Sequence, residues 1–145
     1  MLSEVNKTIT EIASRAGLRN EDGKIELAFD DKRRLMVVDV VGTLDECRFT
    51  FEGLHVSKEI ARQFYKKTPW YKDMEEAKKQ AEAQGIKDWK SLCKFQPPRL
   101  DPKLRTIISE MYIASANEMT GRKLFNAPHL ADVIGDYKRY IGEKA

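Results

Sequence analysis

Cysteine is scarce in this sequence, and its placement is uninformative for cross-linking. Only Cys47 and Cys93 occur, with no Cys-x-x-Cys and no Cys/His spacing, which argues against a disulfide framework or a zinc site. Two reduced thiols are the expectation. No apolar run approaches the ~18 residues of a membrane span. The N-terminal "MLSEVNKTITEIASR" lacks the basic-then-apolar order of a signal peptide. A soluble, cytoplasmic protein without a membrane partner is therefore expected. A dominant charge sign is also missing: 26 basic against 23 acidic residues leave a net charge of +3. That balance is too even to argue for nucleic acid, although anionic small molecules remain compatible partners. The eight glycines are scattered, so no Gly-rich loop is available to cradle phosphates. Internal repeats and low-complexity linkers are absent as well.

What is present reads as one globular unit spanning 1–145. Hydrophobic residues make up 41% of the chain and charged residues 34%, a normal core with a densely solvated surface. Leu2, Val5, Ile9, Ile12, Ala13 and Ala16 recur at helical spacing, with Gly17 placed to close the helix. "KIELAF" and "LMVVDVV" flank "DDKR" and read as a β-hairpin. Ser57 is placed to cap a short helix through about Lys67, with Ile60, Ala61 and Phe64 facing inward. Thr68 and Pro69 open a third helix whose stripe of Trp70, Met74, Ala77 and Ala81 ends at Gly85. "FQPPRLDP" is a rigid connector. Beyond it, Leu104, Ile107, Ile108, Met111, Tyr112 and Met119 mark a long helix closed by Gly121, and Leu130, Val133, Ile134, Tyr137 and Ile141 mark a last one. The expected class is α+β: a helix-rich single domain with a small antiparallel hairpin or sheet.

The hairpin places a carboxylate where core would be expected. Side chains alternate faces along a strand, so pairing Ile25, Leu27 and Phe29 with Met36, Val38 and Val40 buries the richest apolar face and fixes the parity of the register. Lys24, Glu26 and Asp39 then share the other face, with either Glu26 or Lys24 opposite Asp39. Facing carboxylates repel unless a cation or a proton joins them. Mg²⁺ suits such a pair, because it takes one or two protein carboxylates and completes its shell with water and phosphate. The alternative is that these charges line the wet face of a one-sided sheet.

"GLRNEDGKIELAF", "LMVVDVVGTLDECRF" and "SKEIARQFY" together resemble the C-terminal part of SAICAR synthetase (phosphoribosylaminoimidazole-succinocarboxamide synthase) in its archaeal style, over about Gly17 to Tyr65. The family is a ligase of purine biosynthesis that joins aspartate to the carboxylate of a phosphoribosyl aminoimidazole, with ATP and Mg²⁺. The resemblance implies that Lys24 approaches nucleotide phosphate and that Glu26 and Asp39 hold the metal. It further implies that Asp45 and Arg48 belong to a substrate loop, and that Lys58 and Arg62 on the next helix meet the substrate. A guanidinium fork suits a phosphate.

Two positions depart from the family pattern: the second acid of its Asp-Glu pair is Val40 here, and the proline of its loop is Leu44. Parity puts Val40 in the core. The family's ATP-binding lobe is expected to be missing from this chain, so a separate N-terminal lobe or subunit is an implied partner, and homo-oligomerisation is left open. Cys47 and His55 have no sequence partner for a nucleophilic triad and read as structural. One rival is a non-catalytic relative that serves as a phosphate- or nucleotide-binding or regulatory module, which Val40 favours. Another is a helical nucleic-acid protein, suggested only by basic clusters with aromatics in "KKTPWYK" and "DYKRYIGEK", and acids alternating with those bases argue against it.

Overall fold

A computed structural model describes residues 1–143. Helix α1, Leu2–Arg15, buries Ile9 and Ala13, and Gly17 turns the chain with φ 67°. Strands β1 (Arg19–Gly23), β2 (Glu26–Phe29), β3 (Leu35–Val38), β4 (Cys47–Phe51) and β5 (Leu54–His55) follow. They form two antiparallel sheets, one ordered β1-β4-β5 and the other the β2-β3 hairpin. Helices α2 (Glu59–Lys66), α3 (Pro69–Gln84), α4 (Pro102–Thr120) and α5 (Leu130–Glu143) complete the chain, with a 3₁₀ turn at Trp89–Leu92. The α+β, helix-rich class holds.

Local chemistry accounts for most of the helix ends. Thr68 Oγ1 accepts from the Tyr71 N–H, Pro69 opens α3, and Gly85 closes it at φ 65°. Asp101 accepts from the Lys103 and Leu104 N–H groups, Pro102 opens α4, and Gly121 closes it at φ 64°. At α2 the expectation fails. No side chain caps it, and the Ser57 hydroxyl is buried with no partner among the described residues. In α5 the residue that turns inward late in the helix is Tyr140, while Ile141 is exposed.

Three strands were not expected. β4 alternates buried Cys47 and Phe49 with exposed Arg48. The β4-β5 connection is a two-residue loop, with Thr50 opposite His55 and Phe51 opposite Leu54. Glu52 and Gly53 both have positive φ, 49° and 80°, the backbone of the mirror-image turns that hairpins favour. β1 is almost wholly polar and pairs with β4 through an irregularity between Asn20 and Asp22.

One continuous core joins α1, the β4 sheet, α2, α4 and α5, with Phe49, Met111, Leu130 and Ile134 fully enclosed. Among the described residues no helix is long and apolar enough to cross a membrane.

Candidate functional site

The hairpin register differs from expectation by one residue. Glu26 lies opposite Val38, Leu27 opposite Val37 and Phe29 opposite Leu35. A one-residue slip exchanges the faces, so Leu27, Phe29, Leu35 and Val37 now share a side. The parity expectation assumed that the hairpin runs regularly through Val41. Instead β3 stops at Val38, and Asp39 adopts the left-handed region at φ 65°, its Oδ1 accepting from the Val40 N–H at 2.8 Å. Asp and Asn are the residues that tolerate this conformation best after glycine. The turn also overturns the expected burial of Val40, which is 59% exposed. Leu44, by contrast, is buried at 5% exposure.

In the changed register Lys24 still pairs with Glu26. Its ammonium donates to Glu26 Oε1, and its backbone N–H donates to the Glu46 carbonyl at 2.9 Å. The hydrogen bond and charge of Glu26 raise the Lys24 pKa above the ordinary value, with Glu46 and Asp39 adding to the effect. Lys24 is therefore paired with Glu26, and the charges of Glu46 and Asp39 are felt at its ammonium. Glu46 was not singled out from sequence, since it lies in the turn before β4 and only the fold carries it to β2.

Arg48 projects from the exposed side of β4 and grips Asp22 of β1 with both arms of its fork, Nε to Oδ1 at 2.7 Å. That grip lowers the Asp22 pKa. Asp22 raises the Arg48 pKa in turn, and the Glu59 charge contributes. Glu59, 8% exposed, accepts from Gln63 Nε2 at 2.7 Å and pairs with Lys66 at 3.4 Å and Arg62 at 3.5 Å. Burial pushes the Glu59 carboxyl up, but these donors outweigh it and leave the pKa below that of an ordinary glutamate. Glu59 thus pairs with Arg62, and its charge is also felt at Arg48.

The third grouping holds the loop before β4. Lys58 donates to the Asp45 carbonyl, while the Tyr112 hydroxyl of α4 donates to Asp45 Oδ1 at 2.7 Å. Burial, then the Asp45 contact, pushes the Tyr112 pKa well up. Gly42, at φ 75°, lets the same loop approach Ile9, whose Cγ1 would meet an added Cβ at 3.4 Å. Beside the loop runs an apolar groove of about 650 Å³, lined by residues that include Ile9, Val37, Val41, Leu44, Tyr112 and Met119.

The fold therefore brings Lys24 to Glu26, Lys58 to the Asp45 loop, Arg48 to Asp22 and Arg62 to Glu59. Facing of Glu26 and Asp39 across the strands is not observed. Asp22, Glu46, Glu59 and Tyr112 were missed, because each is joined to its partner by tertiary contact or by a single helical turn with no motif. For divalent metal, Glu26 has one oxygen engaged by Lys24 and Asp39 one engaged by its own turn, and the second oxygens are free of hydrogen bonds among the described residues. No cluster of three or more His, Cys, Asp or Glu able to hold a metal occurs among the described residues. This donor set fits a cation held chiefly by water and phosphate, not an all-protein cage.

Residues 1–84 match the family model described as SAICAR synthetase, a longer stretch than the motifs alone marked. A putative phosphoribosylaminoimidazole-succinocarboxamide synthase of Archaeoglobus fulgidus is 46% identical over 141 residues, covering 97% of this chain and 40% of that protein. Phosphoribosylaminoimidazole-succinocarboxamide synthases of Thermoplasma volcanium and Thermoplasma acidophilum are 29% and 27% identical, each over 83% of this chain. The chain spans about 40% of the length of these curated relatives. With the match covering more than half the chain, this protein belongs to the SAICAR synthetase family.

Proposed function

We propose that this chain carries the metal- and substrate-binding portion of a SAICAR synthetase-like ligase of purine biosynthesis and works with an ATP-binding lobe on another part of the family's length. The observation that carries this reading is the Lys24–Glu26 ion pair tied through the Lys24 N–H to the Glu46 carbonyl, next to the loop, strand and helix region bearing Asp45, Arg48, Lys58 and Arg62. The relatives' names give synthesis of a phosphoribosylaminoimidazole succinocarboxamide, and the family resemblance implies the reaction: amide formation between aspartate and the carboxylate of a phosphoribosyl aminoimidazole. In that reaction a carboxylate oxygen takes the γ-phosphoryl group of ATP and ADP leaves. The aspartate amine then attacks the acyl carbon, forms the C–N bond, loses a proton and expels phosphate.

Bound Mg²⁺ would neutralise charge on the transferring phosphoryl group. Glu26 and Asp39 would hold it. Lys24, released from Glu26 as phosphate arrives, would bind the nucleotide. Arg48 and Arg62, tethered by Asp22 and Glu59, would turn their outer N–H groups to the substrate phosphate, while Lys58 and Tyr112 hold Asp45 in place.

The chain alone should release no phosphate that depends on ATP, aspartate and the imidazole carboxylate together. Adding the part of the Archaeoglobus fulgidus relative outside its 141-residue match should restore release. In that mixture Asp39→Asn and Glu26→Gln should each lower turnover by about 10–100-fold. Turnover by the chain alone, or a mixture indifferent to both variants, overturns the reading. A phosphate- or nucleotide-binding relative without ligase activity is the second reading, favoured by Val40. Val40 is exposed, so Val40→Glu can be made without disturbing the core. A mixture that turns over only with Val40→Glu establishes that second reading for the parent chain.

A further inference from the structure

Asp45 is exposed, in the turn that leads into β4, and its backbone and its carboxylate are held by different parts of the molecule. The backbone is fixed by groups near it. The Glu46 N–H donates to Thr43 Oγ1 at 3.3 Å and the Cys47 N–H to the Thr43 carbonyl at 2.9 Å, while Lys58 donates to the Asp45 carbonyl. The carboxylate has a distant partner: the Tyr112 hydroxyl donates to Oδ1 at 2.7 Å across a sequence separation of 67. Its second oxygen, Oδ2, receives no hydrogen bond among the described residues.

Tyr112 is itself firmly placed. It stands on α4, which is closed at both ends by Asp101 and Gly121 and buries Leu104, Ile107, Met111, Ala114 and Ser115. The ring is half-buried in the wall of the apolar groove. Burial, then the Asp45 contact, hold the Tyr112 pKa above its ordinary value, so the phenol keeps its proton and stays a donor wherever Asp45 is ionised. Tyr112 also lies outside residues 1–84, the stretch that matches the family model. The C-terminal helices thus reach the Asp45 carboxylate through this one hydroxyl.

We propose that Tyr112 is a positioning residue for the phosphoribosyl substrate, holding Oδ1 of Asp45 so that Oδ2 is presented to an N–H or O–H donor of the phosphoribosyl aminoimidazole. This rests on the ligase reading, in which Asp45 and Arg48 meet that substrate. An exposed aspartate samples several rotamers, and ordering one at the moment of binding costs affinity. The Tyr112 hydroxyl does that ordering in advance, from a rigid helix. Arg48, three residues further on, is fixed in the same way by Asp22, so acceptor and fork are both set before the substrate arrives. Such ordering serves the bound substrate and the transition state alike, and its loss shows in KM with kcat unchanged.

The test uses the 145-residue chain mixed with the part of the Archaeoglobus fulgidus relative outside its match, with each substrate varied in turn. Tyr112→Phe removes the hydroxyl and leaves the ring in the groove wall. It should raise KM for the phosphoribosyl aminoimidazole carboxylate by about 3–10-fold, with kcat and the KM values for aspartate and ATP unchanged. Asp45→Ala should raise the same KM at least as far, and Tyr112→Phe should add nothing to it, because the hydroxyl acts through Asp45. Tyr137→Phe on α5, which removes a hydroxyl that makes no hydrogen bond among the described residues, is the control and should match the parent. An unchanged KM in Tyr112→Phe, a fall in kcat in its place, or an effect that persists undiminished beside Asp45→Ala overturns the proposal while the ligase reading stands. A parent mixture without turnover counts against the ligase reading. Calorimetric binding of the same carboxylate to the chain by itself then decides the proposal: weaker binding by Tyr112→Phe than by the parent supports it, and equal binding or none overturns it.

Discussion

Asp39 combines two demands in one residue. Its backbone takes the left-handed conformation that ends β3, and its carboxylate is both the acceptor for the Val40 N–H and a source of charge at Lys24. Asparagine keeps the first role, since its amide oxygen can accept the same bond and it tolerates positive φ. Asp39→Asn should therefore melt within about 0.5 kcal/mol of the parent, whereas Asp39→Ala should lose roughly 1–2 kcal/mol from the strained backbone. Millimolar Mn²⁺ should raise the melting temperature of the parent and leave that of Asp39→Asn unchanged. A parent that does not respond to the ion contradicts its role as a ligand in this chain.

At the scale of elements, β1 and β4 are held by close approach more than by apolar burial. Gly23 ends β1 opposite Cys47, and a Cβ added there would stand 2.6 Å from Cys47 Sγ. Cys47 is 1% exposed, so its sulfur has nowhere to move. Gly23→Ala should destabilise by about 1–3 kcal/mol through overpacking. Cys47→Ala removes the obstructing atom at the cost of a small cavity, so the double variant should be more stable than the sum of the single effects implies. Urea denaturation of the four proteins measures this coupling, and strictly additive effects would show that the two strands adjust freely.

For the molecule as a whole, the carboxylates held by hydrogen-bonded donors set the response to acid. Asp22 is held below its ordinary 3.8 by Arg48, Asp30 below 3.8 by the Arg34 and Lys32 turn, and Glu59 below 4.5 by the donors that outweigh its burial. A folded-state pKa lower than the unfolded one means that the unfolded chain takes up protons first as pH falls. The stabilisation is complete above the ordinary values and is lost as pH drops through them toward the lowered ones. The urea midpoint should hold steady from pH 7 to about 5 and decline below about 4.5. Glu59→Gln should make that decline shallower, and an unchanged slope would remove Glu59 from the set.

The sequence by itself determined the five helices, because caps, prolines, closing glycines and 3.6-residue stripes are local signals that tertiary packing had no reason to override. It also determined that a hairpin lies between Lys24 and Val41, whereas the shared face of Lys24, Glu26 and Asp39 rested on a register that the structure does not adopt. The β4-β5 hairpin was legible in principle, since Cys47, Phe49 and Phe51 alternate with Arg48 and Thr50 ahead of Glu52-Gly53. β1 was not: "RNEDG" has no apolar period, and only pairing with β4 makes it a strand. The hairpin register was likewise a tertiary decision. The rule of burying the richer face presumes that the hairpin is covered on one side, but here Phe29 and Leu35 stay exposed and the turn at Asp39 sets where pairing stops. Contacts between residues distant in sequence, such as Arg48 with Asp22 and Tyr112 with Asp45, leave no local pattern, because nothing in either segment alone depends on the other.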